Sequence, residues 1–115
     1  MPRFVILEHR GDTVHWDLML EAGGVLKTWS LQSPPDQPGP IPAESLPDHR
    51  LMYLDYEGPL SRDRGHVRRW DGGTFEVLRQ EPDLLEVALE GAQAQGAFQL
   101  QRAAERWTFQ RAQEA

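Results

Sequence analysis

The segment from Val14 to Glu21 alternates between two kinds of side chain, and this pattern limits the fold more than any other feature of the sequence. One alternate set is apolar and comprises Trp16, Leu18 and Leu20; the other comprises His15, Asp17 and Met19. Successive side chains of a β-strand point to opposite faces, so a period of two predicts a strand with one apolar face. We therefore expect a β-sheet to be the framework of this chain.

Two neighbouring segments extend the predicted sheet. Arg3–Leu7 is a run of β-branched and aromatic residues, which favours a strand. Ala22-Gly23-Gly24 is a turn of the kind that joins antiparallel strands, and Val25–Leu31 has the composition of the partner strand. These segments predict an antiparallel meander.

The middle of the chain is rich in proline. Six of the nine prolines lie between Pro34 and Pro47. Because proline disrupts helices and cannot donate to a sheet ladder, we expect an extended surface loop here, with neither a helix nor a central strand. Alternation returns over His49–Glu57 and predicts another strand.

The second half of the chain adds further predicted strands. His66–Trp70 and Thr74–Leu78 flank Asp71-Gly72-Gly73, which predicts a hairpin with its turn at the glycines. Residues 84–95 favour a helix by propensity alone. Gly91, Gly96 and alternation further along favour three short strands instead, and we expect the last few residues to fray.

Size and composition are consistent with a single domain over residues 1–115. About eight short antiparallel strands in a chain of 13.1 kDa predict a small, all-β, closed or nearly closed barrel with a Pro-rich loop. The chain has no cysteine, so neither a disulfide nor a thiolate zinc site is possible. The longest apolar run near the N-terminus spans residues 4–7, which favours a cytoplasmic protein without a membrane segment. A net charge of −6 argues against a broad basic surface for nucleic acid.

A candidate metal site lies near the N-terminus. His15 and Asp17 are two residues apart on one predicted strand and therefore share a face, while a hairpin at Gly11 would bring His9 alongside them. Two imidazoles and one carboxylate can bind Mn²⁺, Zn²⁺ or Fe²⁺ and leave coordination positions open. The alternative is three polar strand positions that face solvent. His49 and Tyr53 are four residues apart on a predicted strand, so they share a face and could point into the same barrel mouth. The alternative is that His49 is an exposed histidine and Tyr53 an aromatic residue of the core.

Several ordered blocks of this sequence resemble the 3′-phosphoesterase domain of bacterial ligase D. The resemblance spans nearly the whole chain, and its blocks are Arg3–His9, Val14–Glu21, Gly24–Trp29, Asp48–Gly58, Trp70–Glu76 and Trp107–Phe109. It implies a small β-barrel that trims nucleic-acid 3′ ends during bacterial end joining, by removing a terminal ribonucleotide or a 3′-phosphate. It also implies action beside ligase and polymerase repair proteins in trans, in the cytoplasm at the nucleoid.

The resemblance also implies roles for particular residues. His9, His15 and Asp17 match the family's ligands for a divalent metal, most often Mn²⁺, with Zn²⁺ as the alternative. His49 matches the family's catalytic histidine, and Tyr53 and Lys27 match other active-site positions of the family. The resemblance therefore implies that His49, Tyr53 and Lys27 are catalytic. A histidine can protonate a leaving oxygen, and cationic side chains can stabilise charge on the phosphorus centre.

The sequence departs from the family pattern at phosphate-binding positions. Met19 stands where the family strand carries an arginine two residues after the metal-binding aspartate, and no arginine lies between Lys27 and His49. The family's glycine-rich loop is shortened here, and Arg62, Arg64 and Arg68 are candidates to bind substrate phosphate instead. These departures and the acidic net charge keep one alternative open, a weak or inactive module that binds DNA ends or repair partners. The acidic charge and the ligand set leave another, a metal-dependent enzyme on a small phosphorylated or oxidisable substrate, including non-haem iron chemistry.

Overall fold

The computed structural model describes residues 1–112, so the fraying expected at the very end of the chain falls on residues 113–115, outside the described residues. The described chain contains nine strands and one short 3₁₀ helix, Leu51–Leu54. The strands are β1 Arg3–Arg10, β2 Val14–Ala22, β3 Val25–Leu31, β4 Ile41–His49, β5 Gly58–Pro59, β6 His66–Glu81, β7 Leu84–Gly91, β8 Gln95–Ala103 and β9 Arg106–Arg111. Among these residues, no helix is long and apolar enough to cross a membrane.

The strands form one closed antiparallel barrel. Hydrogen-bonded neighbours follow the order β1-β2-β3-β4-β9-β8-β7-β6, and β1 pairs with β6 to close the ring. The two-residue β5 adds to β6 as an extra strand. The predicted barrel of about eight strands is therefore confirmed, and so is the prediction of three short C-terminal strands, β7, β8 and β9, in place of a helix.

The alternating residues of β2 separate into two apolar clusters. Trp16, Leu18 and Leu20 point into the barrel and pack with residues of every large strand, including Phe4, Ile6, Leu31, Phe75, Val87, Leu89, Phe98, Leu100 and Phe109. Met19 points outward, into a second cluster that also contains Val5, Leu7, Leu26, Leu54 and Val67. The segment that follows β4 covers this outer face, so the middle residues of β1 and β2 are buried on both faces of the sheet.

The hairpin predicted at Asp71-Gly72-Gly73 is wrong, because β6 runs without interruption through this segment. Asp71 is buried, and its carboxylate accepts hydrogen bonds from the backbone N–H groups of Ala92, Gln93 and Ala94. A Cβ at Gly73 would lie 2.1 Å from the backbone oxygen of Glu90. The glycine thus permits close strand approach rather than a turn, and β6 can pair with both β1 and β7.

The strand predicted over His49–Glu57 is also wrong. His49 ends β4, and the chain then turns into the 3₁₀ helix. Leu54 is buried against the outer face of the barrel, and its carbonyl oxygen accepts a 2.9 Å hydrogen bond from the guanidinium of Arg69. These tertiary contacts favour a compact turn where local alternation favours an extended strand.

The prediction that the whole Pro-rich stretch is loop is wrong for its second half. β4 contains Pro42 and Pro47 and lies between β3 and β9. Within residues 1–112, only positions 41–43 of β4 pair with β9, so the rest of that edge of β4 is unpaired there, and proline is tolerated. Pro47 lies where the β3–β4 register shifts, which is a β-bulge. Residues 32–40 do form the expected Pro-rich loop.

Candidate metal centre and outer cleft

The three predicted metal ligands come together on the outer wall of the barrel. His9 on β1 is directly opposite His15 on β2, and Asp17 is the next residue of β2 on the same face. The distance from His9 Nδ1 to Asp17 Oδ2 is 3.6 Å, and that from His15 Nε2 to Asp17 Oδ1 is 3.4 Å. One potential ligand atom from each residue lies within 4.8 Å of the others. Antiparallel register alone therefore creates a compact site with two nitrogens and one carboxylate.

The Asp17 carboxylate has the environment of a cation ligand. Asp17 is only 4% exposed, and its Oδ1 is buried without a hydrogen-bond partner in the described chain. Burial raises the pKa of Asp17, and the neighbouring His15, His9 and His49, together with a hydrogen bond from the Ser30 hydroxyl, oppose that rise. A buried, unpartnered carboxylate oxygen is costly unless a positive group compensates it. The residues present therefore fit a divalent cation held by His9, His15 and Asp17.

A backbone carbonyl orients His9. His9 Nε2 lies 2.7 Å from the carbonyl oxygen of Arg64, so Nε2–H donates there and Nδ1 remains the lone-pair nitrogen that faces Asp17. Such hydrogen bonds to the second ring nitrogen are typical of histidines that bind metals. The loop that carries Arg64 is closed by a 2.8 Å hydrogen bond from Leu60 N to Gly65 O. Sequence reasoning missed this main-chain contact, and the one local signal in the sequence was the glycine at position 65, which has a φ of 88° in the structure.

His49 and Tyr53 line a cleft beside the metal set. This outer cleft has a volume of about 80 Å³, and its walls are Leu7, His9, Asp17, Met19, His49, Tyr53, Leu60, Arg64 and Val67. The rings of His49 and Tyr53 meet edge to face, with centroids 5.8 Å apart. His49 Nδ1 lies 2.9 Å from the carbonyl oxygen of Pro47, which leaves Nε2 available. The two residues were expected at a barrel mouth, whereas the cleft opens on the outer wall.

Lys27 is not brought to the outer cleft. On β3 it shares the inner face with Trp29 and Leu31, which belong to the barrel core. Its Nζ lies 3.1 Å from Asp48 Oδ2 in a half-exposed ion pair. It also lines a different cavity, at one end of the barrel. The catalytic role that the resemblance implies for Lys27 stays a prediction, and the position of the side chain does not support it.

Of the three candidate phosphate-binding arginines, only Arg64 lines the outer cleft. Its guanidinium donates to Ser61. Arg68 instead pairs with the buried Glu8, at 3.1 Å. Arg62 is exposed in the adjoining loop, with a φ of 61°. A phosphate-binding role for each of them stays a prediction.

The fold is a closed antiparallel barrel, and its outer wall carries two histidines and one carboxylate that could bind a metal. This combination defines the class, a β-barrel domain with a candidate metal centre. Residues 7–102 match the family model of the DNA ligase D 3′-phosphoesterase domain. The chain therefore belongs to the DNA ligase D 3′-phosphoesterase domain family, and the resemblance read from the sequence blocks is confirmed.

Similar proteins are multifunctional non-homologous end joining proteins named LigD. The Pseudomonas aeruginosa protein is 31% identical over 110 residues, which cover 87% of this chain and 13% of the relative. The DNA repair protein of Mycobacterium tuberculosis H37Rv is 33% identical over 120 residues, 94% of this chain and 16% of the relative. The chain thus spans about one seventh of the length of these relatives.

Proposed function

We propose that this domain is a divalent-metal-dependent phosphoesterase that removes a 3′-phosphate or a terminal ribonucleotide from nucleic-acid 3′ ends. Membership of the family supports a role in DNA end processing. The observation that carries the proposal is the juxtaposition of His9, Asp17 and His49 in one cleft, with His15 completing the metal set. A set of ligands beside a histidine free to exchange a proton is what hydrolysis of a phosphate ester requires.

The side chains of the outer cleft have different roles in the proposed hydrolysis. When bound, a divalent ion would supply positive charge to the phosphate ester and would lower the pKa of its bound water. His9, His15 and Asp17 would hold this ion. His49 donates Nδ1–H to the carbonyl of Pro47, so Nε2 is the ring nitrogen left to face the substrate, and the Tyr53 ring packs edge-on against this histidine. In its imidazolium form, with both nitrogens protonated, His49 gives the Nε2 proton to the leaving oxygen and becomes the neutral imidazole. We assign the guanidinium of Arg64, which donates to Ser61 in the structure, to the substrate phosphate, because this residue lines the cleft.

The finer assignments follow from the donor set and the family. Nitrogen and carboxylate ligands suit Mn²⁺, with Zn²⁺ as the alternative, and we assign Mn²⁺ as the working metal. DNA 3′ ends, including ends with a terminal ribonucleotide, are the proposed substrates. Ligase and polymerase repair proteins are the proposed partners in trans, at the nucleoid in the cytoplasm.

The test combines metal binding with end processing. Titration calorimetry of stripped protein measures Mn²⁺ affinity for the wild type, His15→Ala and Asp17→Ala, with His66→Ala as control because this exposed histidine lies on β6 outside the metal set. We expect binding to be lost in the first two variants and retained in the control. With Mn²⁺, the wild type should process both a 3′-phosphate and a 3′-ribonucleotide primer-template, and His49→Ala should abolish turnover. Absence of binding, or unchanged primers, would overturn the proposal.

Met19 favours a second candidate function. This side chain is 2% exposed and lines the outer cleft, so an apolar thioether stands where a phosphate clamp would act. The alternative is a module that binds DNA ends or repair partners without turnover. Binding of a recessed 3′ end with no product, unaffected by His49→Ala, would support it, whereas turnover that needs His49 would exclude it.

A further inference from the structure

Two arginines converge on one buried carboxylate at the end of the barrel where β1 finishes. Glu8 is 7% exposed, and its Oε2 accepts hydrogen bonds from Arg10 Nε at 3.3 Å and from Arg68 Nη2 at 3.1 Å. Arg10 Nη2 also donates to Glu8 Oε1, at 3.3 Å. Because both arginines share one carboxylate oxygen, Glu8 fixes two guanidinium groups next to each other. We call these two residues the Arg10–Arg68 pair.

The Arg10–Arg68 pair keeps hydrogen-bonding capacity and charge for a ligand. The side chains of Arg10 and Arg68 are 55% and 70% exposed. A guanidinium has five N–H groups, and Arg10 directs two of its nitrogens to Glu8 while Arg68 directs one. The single carboxylate of Glu8 balances only one of the two positive charges. The three side chains together therefore present one net positive charge and several donors to solvent.

The Arg10–Arg68 pair lies beside the outer cleft, on the other face of the same strand. Side chains of β1 alternate, so His9 points to the metal set while Glu8 and Arg10 point to the opposite face. On β6, Val67 pairs with His9 and lines the cleft, and the next residue, Arg68, pairs with Glu8. A strand that enters the cleft across the end of β1 therefore passes this pair.

The distribution of charge favours a nucleic-acid strand at this end of the barrel. The whole chain has a net charge of −6, so most of its surface repels a polyanion. Segments 8–12 and 61–68 reverse this balance, because their four arginines outnumber their three acidic residues. A guanidinium also matches the geometry of phosphate oxygens better than an ammonium does. The arginines are Arg10, Arg62, Arg64 and Arg68, and the acidic residues are Glu8, Asp12 and Asp63.

We propose that the Arg10–Arg68 pair binds a backbone phosphate of the nucleic acid whose 3′ end occupies the outer cleft, at a nucleotide away from the reacting one. Both guanidinium groups donate to the phosphate oxygens, and Glu8 keeps them together. Such a contact positions the nucleic acid without reading its sequence. The inference rests on the proposed nucleic-acid substrate, but it does not depend on turnover.

The test measures binding of a recessed primer–template with a 3′-hydroxyl end by fluorescence anisotropy, in metal-free buffer over a range of salt concentrations. Arg10→Gln and Arg68→Gln each remove one charge and leave Glu8 one arginine partner. Arg68→Lys keeps the charge without the planar guanidinium. Arg79→Gln is the matched control, because Arg79 is also a half-exposed arginine paired with a glutamate, but it lies on β6 beyond the opposite end of β1. Far-UV circular dichroism establishes that each variant folds.

We expect Arg10→Gln and Arg68→Gln each to weaken DNA binding by about tenfold, the usual effect of one hydrogen bond between charged groups. Each should also reduce the slope of log affinity against log salt by about 0.9, because the remaining arginine and Glu8 no longer neutralise a phosphate. Arg68→Lys should keep the wild-type slope, and Arg79→Gln should keep both the affinity and the slope.

Two results would overturn the inference while the proposed function stands: wild-type affinity and slope in both cleft-side Gln variants, or an equal loss in Arg79→Gln, in each case with the 3′-phosphate primer still processed by the wild type in Mn²⁺. If the wild type neither bound the primer–template nor processed the 3′-phosphate primer, the proposed function would fail together with this inference.

Discussion

Gly65→Ala tests whether the backbone of the loop before β6 sets the metal centre. Gly65 has a φ of 88°, and a Cβ there would lie 1.8 Å from the backbone oxygen of Arg10. That oxygen belongs to β1 and cannot move without breaking the barrel ladder, so the loop must move instead. The carbonyl of Arg64, which precedes Gly65, would then lose its 2.7 Å contact with His9 Nε2.

Two separate costs are expected from this substitution. An L-residue at such a φ costs about 1–3 kcal/mol of folding stability. Displacement of the carbonyl that orients a metal-binding histidine lowers metal affinity by about 10- to 100-fold. Gly24→Ala is the matched control, because Gly24 has a φ of 83°, a Cβ added there would meet nothing within 4 Å, and the residue follows the opposite end of β2. Gly24→Ala should therefore lose folding stability through its positive φ and keep its metal affinity.

The assay is Mn²⁺ titration calorimetry on stripped protein, with urea unfolding of the same samples. We expect Gly65→Ala to lose both stability and Mn²⁺ affinity, and Gly24→Ala to lose stability only. Wild-type Mn²⁺ affinity in Gly65→Ala would refute the argument that Arg64 orients His9. An equal affinity loss in Gly24→Ala would show that the effect is a general loss of stability.

Three further predictions concern other buried groups. Mn²⁺ at about 100 times its Kd should raise the unfolding free energy by about 2.7 kcal/mol. Asp17→Asn should abolish this gain. Without metal at pH 7, the same variant should be no less stable than the wild type, because burial raises the pKa of Asp17 and so disfavours its carboxylate. Asp71→Ala should lower the unfolding free energy measured in urea by about 3 kcal/mol or more, since three backbone N–H groups lose their acceptor. The control, Asp83→Ala, removes only an exposed ion pair and should change this free energy little. Met19→Arg should speed phosphate release from a 3′-phosphate primer in single turnover by about 100-fold, with the exposed Met52→Arg as the unaffected control. Because Met19 is buried in the outer cluster, circular dichroism first establishes that Met19→Arg folds; no gain in rate in the folded variant would show that the missing arginine does not limit catalysis.

Local patterns predicted the strands whose residues face two clearly different environments. β2 alternates between the barrel core and the outer cluster, so its period of two was evident, and β3 was predicted with its observed bounds. The metal set followed from the same logic, because side chains two apart on a strand share a face. The family blocks were equally readable, since they depend on residue identity and order.

Long-range contacts decided the elements where sequence prediction was wrong. Asp71-Gly72-Gly73 has the composition of a turn, yet Asp71 binds a loop about twenty residues away and Gly73 permits strand contact. His49–Glu57 alternates, yet the burial of Leu54 and the hydrogen bond from Arg69 favour a 3₁₀ helix. Such interactions join residues far apart in sequence, so no local window contains their energy.

The sequence by itself determined the all-β class and the family, and it indicated the three residues of the candidate metal site. Only the tertiary structure decided that this set faces an outer cleft with His49 and Tyr53, that the Arg64 carbonyl orients His9, and that Lys27 belongs to a separate cavity. The physical reason is that period and composition specify which residues share a strand face. Closure of the barrel and the packing of loops on its outer wall decide which residues from different strands and loops lie close together in one site.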